Sequence, residues 1–233
     1  MRLRRELSWY GEALLRLFYP SRCASCNGLL ALEERGLCEV CLGSLRPLKL
    51  EPSEEKIRLT FSSESEGWAL FRYEGLVKEV LRKVKFEGRR DLLGVFYPEM
   101  DRFVSRRTQL ASYECILPIP LDPRRHLERE FNQSGLLAKK IHSLLGGTPR
   151  LLKRTLARRR SPLPQSLLGR EARRSNVDHA FRVLDGRSVR NRSILLVDDI
   201  VTTGATLDEV SKMLKAAGAS RVGYLTLART MAN

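Results

Sequence analysis

The sequence predicts an α/β domain, a parallel sheet flanked by helices, with a small cysteine-rich module ahead of it. Apolar runs of strand length alternate with helix-period segments from residue 67 onward, and glycines close those helices. Four of the five cysteines, moreover, fall between residues 23 and 41. A length of 233 residues with 42% hydrophobic content suits one sizeable domain plus an appendage, or two small domains, with an ordinary buried core.

Within the alternating region, WALFRY (68–73) reads as a strand. Val77, Val80, Leu81 and Val84 then make a helix face that ends at Gly88. CILPIPL (115–121) is a second strand, and NQSGLLAKKIHSLLGG (132–147) a helix stopped by Gly146. SILLV (193–197) and RVGYLTLA (221–228) are two more strands. Between them ATLDEVSKMLKAAG forms a helix whose buried face is Leu207, Val210, Met213, Leu214 and Ala217, so the last third is a strand, helix, strand unit of the parallel kind.

Ahead of this domain, residues 51–66 are polar and lack periodicity, and read as a linker or loosely held connection. The expected division is therefore 1–50, 51–66 and 67–233. Leu3, Leu7, Tyr10, Leu14 and Leu17 recur at three- and four-residue steps, as in an amphipathic helix. Glu6, Glu12 and Arg16 interrupt what would otherwise be an apolar signal core, and no run approaches bilayer length, so a cytoplasmic location with no membrane span is expected.

Cys23 and Cys26, then Cys38 and Cys41, form two C-x-x-C pairs separated by eleven residues. Each pair can bend so that both sulfurs face one point, and together they supply the four thiolates of a tetrahedral zinc site. Disulfides fit less well without a secretory signal. A thioredoxin-type redox pair fits less well again, since neither motif opens a helix after a buried strand. With all four positions filled, the Zn2+ is expected to be structural. Cys115, in the strand run, reads as a small buried apolar residue.

The formal charge is +15, and residues 121–192 hold 18 basic against 6 acidic side chains, a difference of +12. Charge this local favours a polyanionic partner. LLKRTLARRRSPLPQSLLGREARR (151–174) carries Lys153, Arg154, Arg158, Arg159, Arg160, Arg170, Arg173 and Arg174, enough for phosphate contacts, and almost no aromatics for base stacking. His126, His142 and His179 have no pattern that assigns them chemistry.

ILLVDDIVTTGATLDEV (194–210) is the most informative stretch. An apolar strand runs into Asp198 and Asp199 and then into Thr202, Thr203, Gly204, Ala205 and Thr206, where almost nothing is large. One carboxylate suffices to cap a helix, so the second needs another explanation. Exposed amides, threonine hydroxyls and the positive end of the following helix suit a phosphate monoester, and the carboxylates suit nearby sugar hydroxyls. Together they describe a grip on a ribose 5-phosphate at the carboxyl end of a strand. Walker and dinucleotide-binding glycine patterns are absent.

ILLVDDIVTTGAT resembles the phosphoribosyl pyrophosphate signature of the type I phosphoribosyltransferases. YEGLVKEVLRKVKFEG, LPIPLDPRRHLEREFNQSGLLAKK and REARRSNVDHAF resemble the ComF family of competence-associated proteins. The resemblance spans nearly the whole chain. It implies a four-cysteine zinc module joined to a type I phosphoribosyltransferase-like domain. Asp198 and Asp199 would be the catalytic pair holding the ribose hydroxyls, residues 202–206 would hold the 5-phosphate, and Arg129 would lie near the pyrophosphate. It further implies phosphoribosyl pyrophosphate with Mg2+ as ligand, transfer to an acceptor the sequence does not specify, and a role in DNA uptake. Single-stranded DNA would be a partner, along with a DNA-uptake helicase or recombination proteins. The chain departs from the family's usual R-G-F-N-Q at Glu130, and from its usual threonine three residues before Gln165 at Pro162.

Overall fold

The computed structural model describes residues 19–57, 66–122, 131–158 and 180–231. The amphipathic stripe of residues 3–17, Arg129, Glu130, Pro162, Gln165 and the arginines at 159, 160, 170, 173 and 174 lie outside them.

A six-stranded sheet organises the domain in the order β1-β2-β8-β7-β3-β4. Its strands are β1 (Lys56–Ile57), β2 (Gly67–Arg72), β3 (Cys115–Pro118), β4 (Arg150–Leu151), β7 (Ser193–Val201) and β8 (Arg221–Arg229). Every pairing is parallel except β1 with β2. The central strands read as continuous apolar runs because both faces are covered. Leu195 and Val197 belong to one buried cluster, Ile194 and Leu196 to the other.

A short helix, α1 (Glu39–Gly43), lies in the cysteine module. The first face is covered by α2 (Gly75–Phe86), α3 (Tyr97–Ser105) and α4 (Gln133–Leu144), through Val77, Val80, Leu81, Met100, Phe103 and Leu137 among others. The second is covered by α5 (Ala205–Ala216) through Leu207, Val210 and Leu214, with Met213 and Ala217 only partly buried beside them. A separate antiparallel pair, β5 (Leu156–Arg158) and β6 (Phe181–Val183), packs on that face through Leu156 and Phe181. Cys115 is buried in the same cluster.

Two features depart from the sequence expectation. First, α3, the 3-10 turn at Arg90–Phe96 and the β5–β6 pair occupy stretches to which the sequence reading gave no element. Second, β7 does not end before the two aspartates. It runs through them to Val201 because its pairing with β8 continues to Val201↔Arg229, while its pairing with β3 stops at Pro118↔Val197. The Ile119 N–H still donates to the Val197 carbonyl (2.9 Å), and among the described residues no strand pairing of β3 with β7 follows it. Asp198 and Asp199 thus sit on a strand that is paired on one side and open on the other.

Of the linker, residues 51–57 and 66 are described, and the first stretch is held to the domain around it. Leu50 donates its N–H to the Leu70 carbonyl (3.0 Å), Arg72 binds the Glu54 carboxylate (2.7 Å), and buried Glu55 pairs with Arg107. Gly67, on the neighbouring strand, has to be glycine: a Cβ there would fall 1.6 Å from the ring of Tyr224, its partner across the β2–β8 ladder. The cysteine module docks on the first face, with Cys23, Ala24, Leu37 and Leu45 in the same buried cluster as α2. No helix among the described residues is long and apolar enough to cross a membrane.

Candidate functional site

The topology itself points to a crevice. From β3 the chain passes through α4, on the first face, out to β4. It then returns to β7 on the other side of β3 and leaves through α5, on the second face. The carboxyl ends of β3 and β7 are therefore where helices diverge to opposite faces, the place at which open α/β sheets collect ligands.

Asp198 and Asp199 lie on β7 at this point. The Ser134 hydroxyl, from the first turn of α4, donates to Asp198 Oδ1 (2.8 Å), and the Asp199 N–H donates to the same oxygen (2.9 Å). Asp199, 8% exposed, forms an ion pair through Oδ2 with Lys85 Nζ in the last turn of α2 (2.8 Å). Asp198 also forms part of the wall of an apolar pocket whose other walls include Leu70, Met100, Phe103, Leu137 and Ile141. Burial and then the charge of Asp199 push its carboxyl up to about 7, against the hydrogen bonds from Ser134 and the Asp199 amide and the charge of Lys85. The folded pKa lies above the ordinary 3.8, so for this group alone stability rises as the pH falls from about 7 toward that value.

Gly204 caps α5 with φ +81°, a left-handed conformation that suits glycine. Having no side chain, it cannot satisfy the first-turn amides as serine or aspartate would. Thr202 and Thr203 are exposed, Gly204 is buried, and Thr203 Oγ1 accepts weakly from the Ala205 N–H (3.4 Å). On the far side Thr230 Oγ1 donates to the Thr202 carbonyl (3.2 Å) and its N–H to that of Val201 (3.0 Å), fixing the entry to the loop. A twelve-residue helix with open amides and threonine hydroxyls, one strand-end from two carboxylates, has the chemistry for a phosphorylated polyol.

The sequence reading missed Lys85 and Ser134. Lys85 follows Val84 off the apolar stripe and is one of several lysines on α2, so spacing alone does not single it out. Ser134 reads as an ordinary first-turn residue. Of the arginine-rich group, Lys153 and Arg154 are exposed on the turn after β4, and Arg158 lies 5.2 Å from the ring centroid of Phe181. Arg158 and Phe181 are ladder partners, and the Ala180 N–H donates to Glu209 of α5 (2.9 Å).

The four cysteines converge as well. The Sγ atoms of Cys23, Cys26, Cys38 and Cys41 all lie within 4.8 Å of one another, Cys26 and Cys38 being 3.7 Å apart. A zinc ion held by four thiolates at about 2.3 Å places its sulfurs about 3.8 Å apart, so the cluster fits such an ion. Asn27, at φ +60°, turns the first knuckle, and the Cys38 N–H points at Cys23 Sγ (3.4 Å). For Cys23 burial, which raises a thiol, is outweighed by the amides of Cys38, Cys26 and Ser25, which bring it down to about 6. For Cys41 burial and the three neighbouring sulfurs push it up to about 12. A bound cation is what lets four such thiols ionise together. All five cysteines are free thiols.

Known proteins resemble this chain over most of its length. Residues 137–233 match the phosphoribosyl transferase domain family. Competence protein F of Haemophilus influenzae is 28% identical over 238 residues, covering 91% of this chain and 98% of that protein. DNA utilization protein YhgH of Escherichia coli K12 is 29% identical over 230 residues, covering 92% and 100%. Competence protein ComFC of Streptococcus pneumoniae is 32% identical over 162 residues, covering 69% and 67%. Among solved structures, a purine phosphoribosyltransferase from Pyrococcus horikoshii aligns with a TM-score of 0.36 at 14% identity, over 58% of this chain and 83% of that one. With the four-cysteine cluster in place ahead of the sheet, the chain belongs to the ComF family of competence proteins and carries a phosphoribosyl transferase domain.

Proposed function

We propose that this chain binds phosphoribosyl pyrophosphate together with Mg2+, transfers its phosphoribosyl group to an acceptor, and serves DNA uptake. The carrying observation is the pairing of Asp198 and Asp199 with the open, glycine-capped 202–206 loop at the β3–β7 crevice. In this reading the loop amides and the hydroxyls of Thr202, Thr203 and Thr206 hold the 5-phosphate, while the carboxylates accept from the ribose hydroxyls. Pyrophosphate leaves the anomeric carbon with oxocarbenium character, so the protein's work is to position the sugar and stabilise charge, and no nucleophilic side chain is required. Both carboxylates are already engaged by Ser134, the Asp199 amide and Lys85. That donor set suits a magnesium ion arriving on the ligand's oxygens better than a resident one. When bound, the ion neutralises the diphosphate. Arg129, outside the described residues, is assigned to the pyrophosphate by the family resemblance alone.

Calorimetry with ribose 5-phosphate and phosphoribosyl pyrophosphate tests the reading. Asp199→Asn keeps size and removes charge, and each charge-assisted hydrogen bond lost should cost roughly 1.5 to 3 kcal/mol of affinity. Equal affinities for wild type and variant would reduce the loop to a helix cap. The affinity should also rise as the pH increases through about 7, as Asp198 loses its proton. The ligand's phosphate, with a second pKa near 6, acts in the same direction. Asp198→Asn separates the two by removing the upper component only.

Single-stranded DNA binding is the second part of the reading. It is supported by exposed Lys153 and Arg154, by Arg158 at the base of the arginine-rich segment, and by relatives named for competence and DNA utilization. Neutralising Arg158, Arg159 and Arg160 together should flatten the fall of affinity with salt while leaving metal content unchanged. An unaltered slope in that variant would remove the patch, with Arg173 and Arg174 next to be tested. A non-catalytic protein using the sugar-phosphate site as an anchor would bind DNA in this way and release no pyrophosphate with any acceptor.

A further inference from the structure

Adjacent carboxylates repel, and a site that needs both must hold them apart and hold them charged. Lys85 reaches Asp199 from α2, a different element from the strand that bears the pair, and both side chains are mostly withdrawn from water, at 18% and 11% exposure. Among the described residues, the Ser134 hydroxyl from α4 and Tyr73 just after β2 also face the pair. Burial raises the Tyr73 phenol, with the charge of Asp199 adding to it and that of Arg82 opposing it. Ser134 and the Asp199 amide engage Oδ1 of Asp198, and Lys85 engages Oδ2 of Asp199. Each carboxylate is thereby anchored through one oxygen, and no contact among the described residues engages the other. Two adjacent residues offering one acceptor each match two adjacent hydroxyls on a sugar ring.

We infer that Lys85 is a positioning residue for a vicinal diol: by holding one oxygen of Asp199 it turns the other toward the sugar, so that the site selects ribose over 2-deoxyribose. The inference rests on the ribose phosphate reading above and deepens it. Preorganisation of this kind removes the cost of ordering the acceptor when the ligand arrives. The charge of Lys85 also lowers the Asp198 pKa against burial and the charge of Asp199, so the ammonium acts on both members of the pair. A DNA 5′ end carries no 2′-hydroxyl, and a site built this way discriminates against it.

The experiment is calorimetry of the full chain with ribose 5-phosphate and with 2-deoxyribose 5-phosphate, from pH 5.5 to 8.5. Wild type should prefer ribose 5-phosphate by roughly ten-fold or more, the equivalent of one charge-assisted hydrogen bond. Lys85→Met should bring that preference close to one and move the midpoint of the pH profile upward, and Lys85→Arg should restore both. If Lys85→Met does not fold, the double variant Lys85→Met/Asp199→Asn, which leaves no unpaired buried charge, should show no further loss beyond Asp199→Asn alone. Wild type binding neither sugar phosphate at any pH would overturn the ribose phosphate reading and this inference with it. Wild type that binds both sugars equally, or Lys85→Met with an unchanged preference and profile, would overturn the inference alone.

Discussion

Replacing Gly204 by valine is expected to abolish binding of ribose 5-phosphate and phosphoribosyl pyrophosphate while the metal content stays that of wild type. Gly204 holds φ +81° and is buried between two exposed threonines and the first turn of α5. A β-branched residue is a steric outlier at that angle, and such strain costs about 1 to 3 kcal/mol. The added methyl groups would also sit where the loop amides open, so the ligand loses its space and its donors together. A single α5 turn is affected, and the buried contacts of Leu207, Val210 and Leu214 remain. The expected outcome is a folded protein with a modestly lower melting temperature and no calorimetric signal for either ligand. Undiminished binding would show that the loop is not the phosphate site. Thr203→Val, which removes one hydroxyl and keeps the backbone, should weaken binding without abolishing it.

Stripping the metal should have the other large effect, on stability. Structural zinc contributes on the order of 10 kcal/mol in small modules, because the liganding arrangement scarcely exists without it. Here the loss does not stay local. Cys23, Ala24, Leu37 and Leu45 lie in the cluster that includes α2 and α3, and the Ser25 hydroxyl donates to Glu79 of α2 (3.0 Å). Chelation, or Cys38→Ser, should therefore lower the melting temperature of the whole chain instead of only unravelling residues 19–45. Metal uptake should release protons and tighten as the pH rises, since Cys41, held up at about 12, must ionise to bind. Metal analysis alongside thermal melts checks both points. A chelated chain melting in the wild-type transition would mean that the module is an independent appendage.

What was legible in the sequence is what local chemistry dictates. The apolar run at 194–197, the helix face of Leu207, Val210 and Leu214, the cysteine spacing, and the threonine and glycine loop each carry their signal within about twenty residues. The exact end of β7 did not, because it is set by two neighbours that disagree: β8 goes on pairing to Arg229, and β3 stops at Pro118. Nor did Lys85, whose ion pair with Asp199 joins residues more than a hundred positions apart. The β5–β6 pair is too short for a period-2 pattern to register, and its ladder partners are more than twenty positions apart. α3 offered Pro98 near its start and Met100, Phe103 and Val104 on one face, a signal present but confined to nine residues.

The position of β8 has a bearing on how the chain is made. Residues 221–229 form an interior strand between β2 and β7, and Gly67 finds its ladder partner only at Tyr224. As the protein emerges from the ribosome, the cysteine knuckles can close early around a metal ion, since their ligands span few residues. The sheet cannot close then. Until β8 is extruded, β2 and β7 each present an unpaired apolar edge, the state in which nascent chains aggregate or recruit chaperones. Pairing across so long a separation in sequence also makes the final step slow. The cysteine module can therefore fold while the sheet is half assembled, with β2 and β7 waiting for β8.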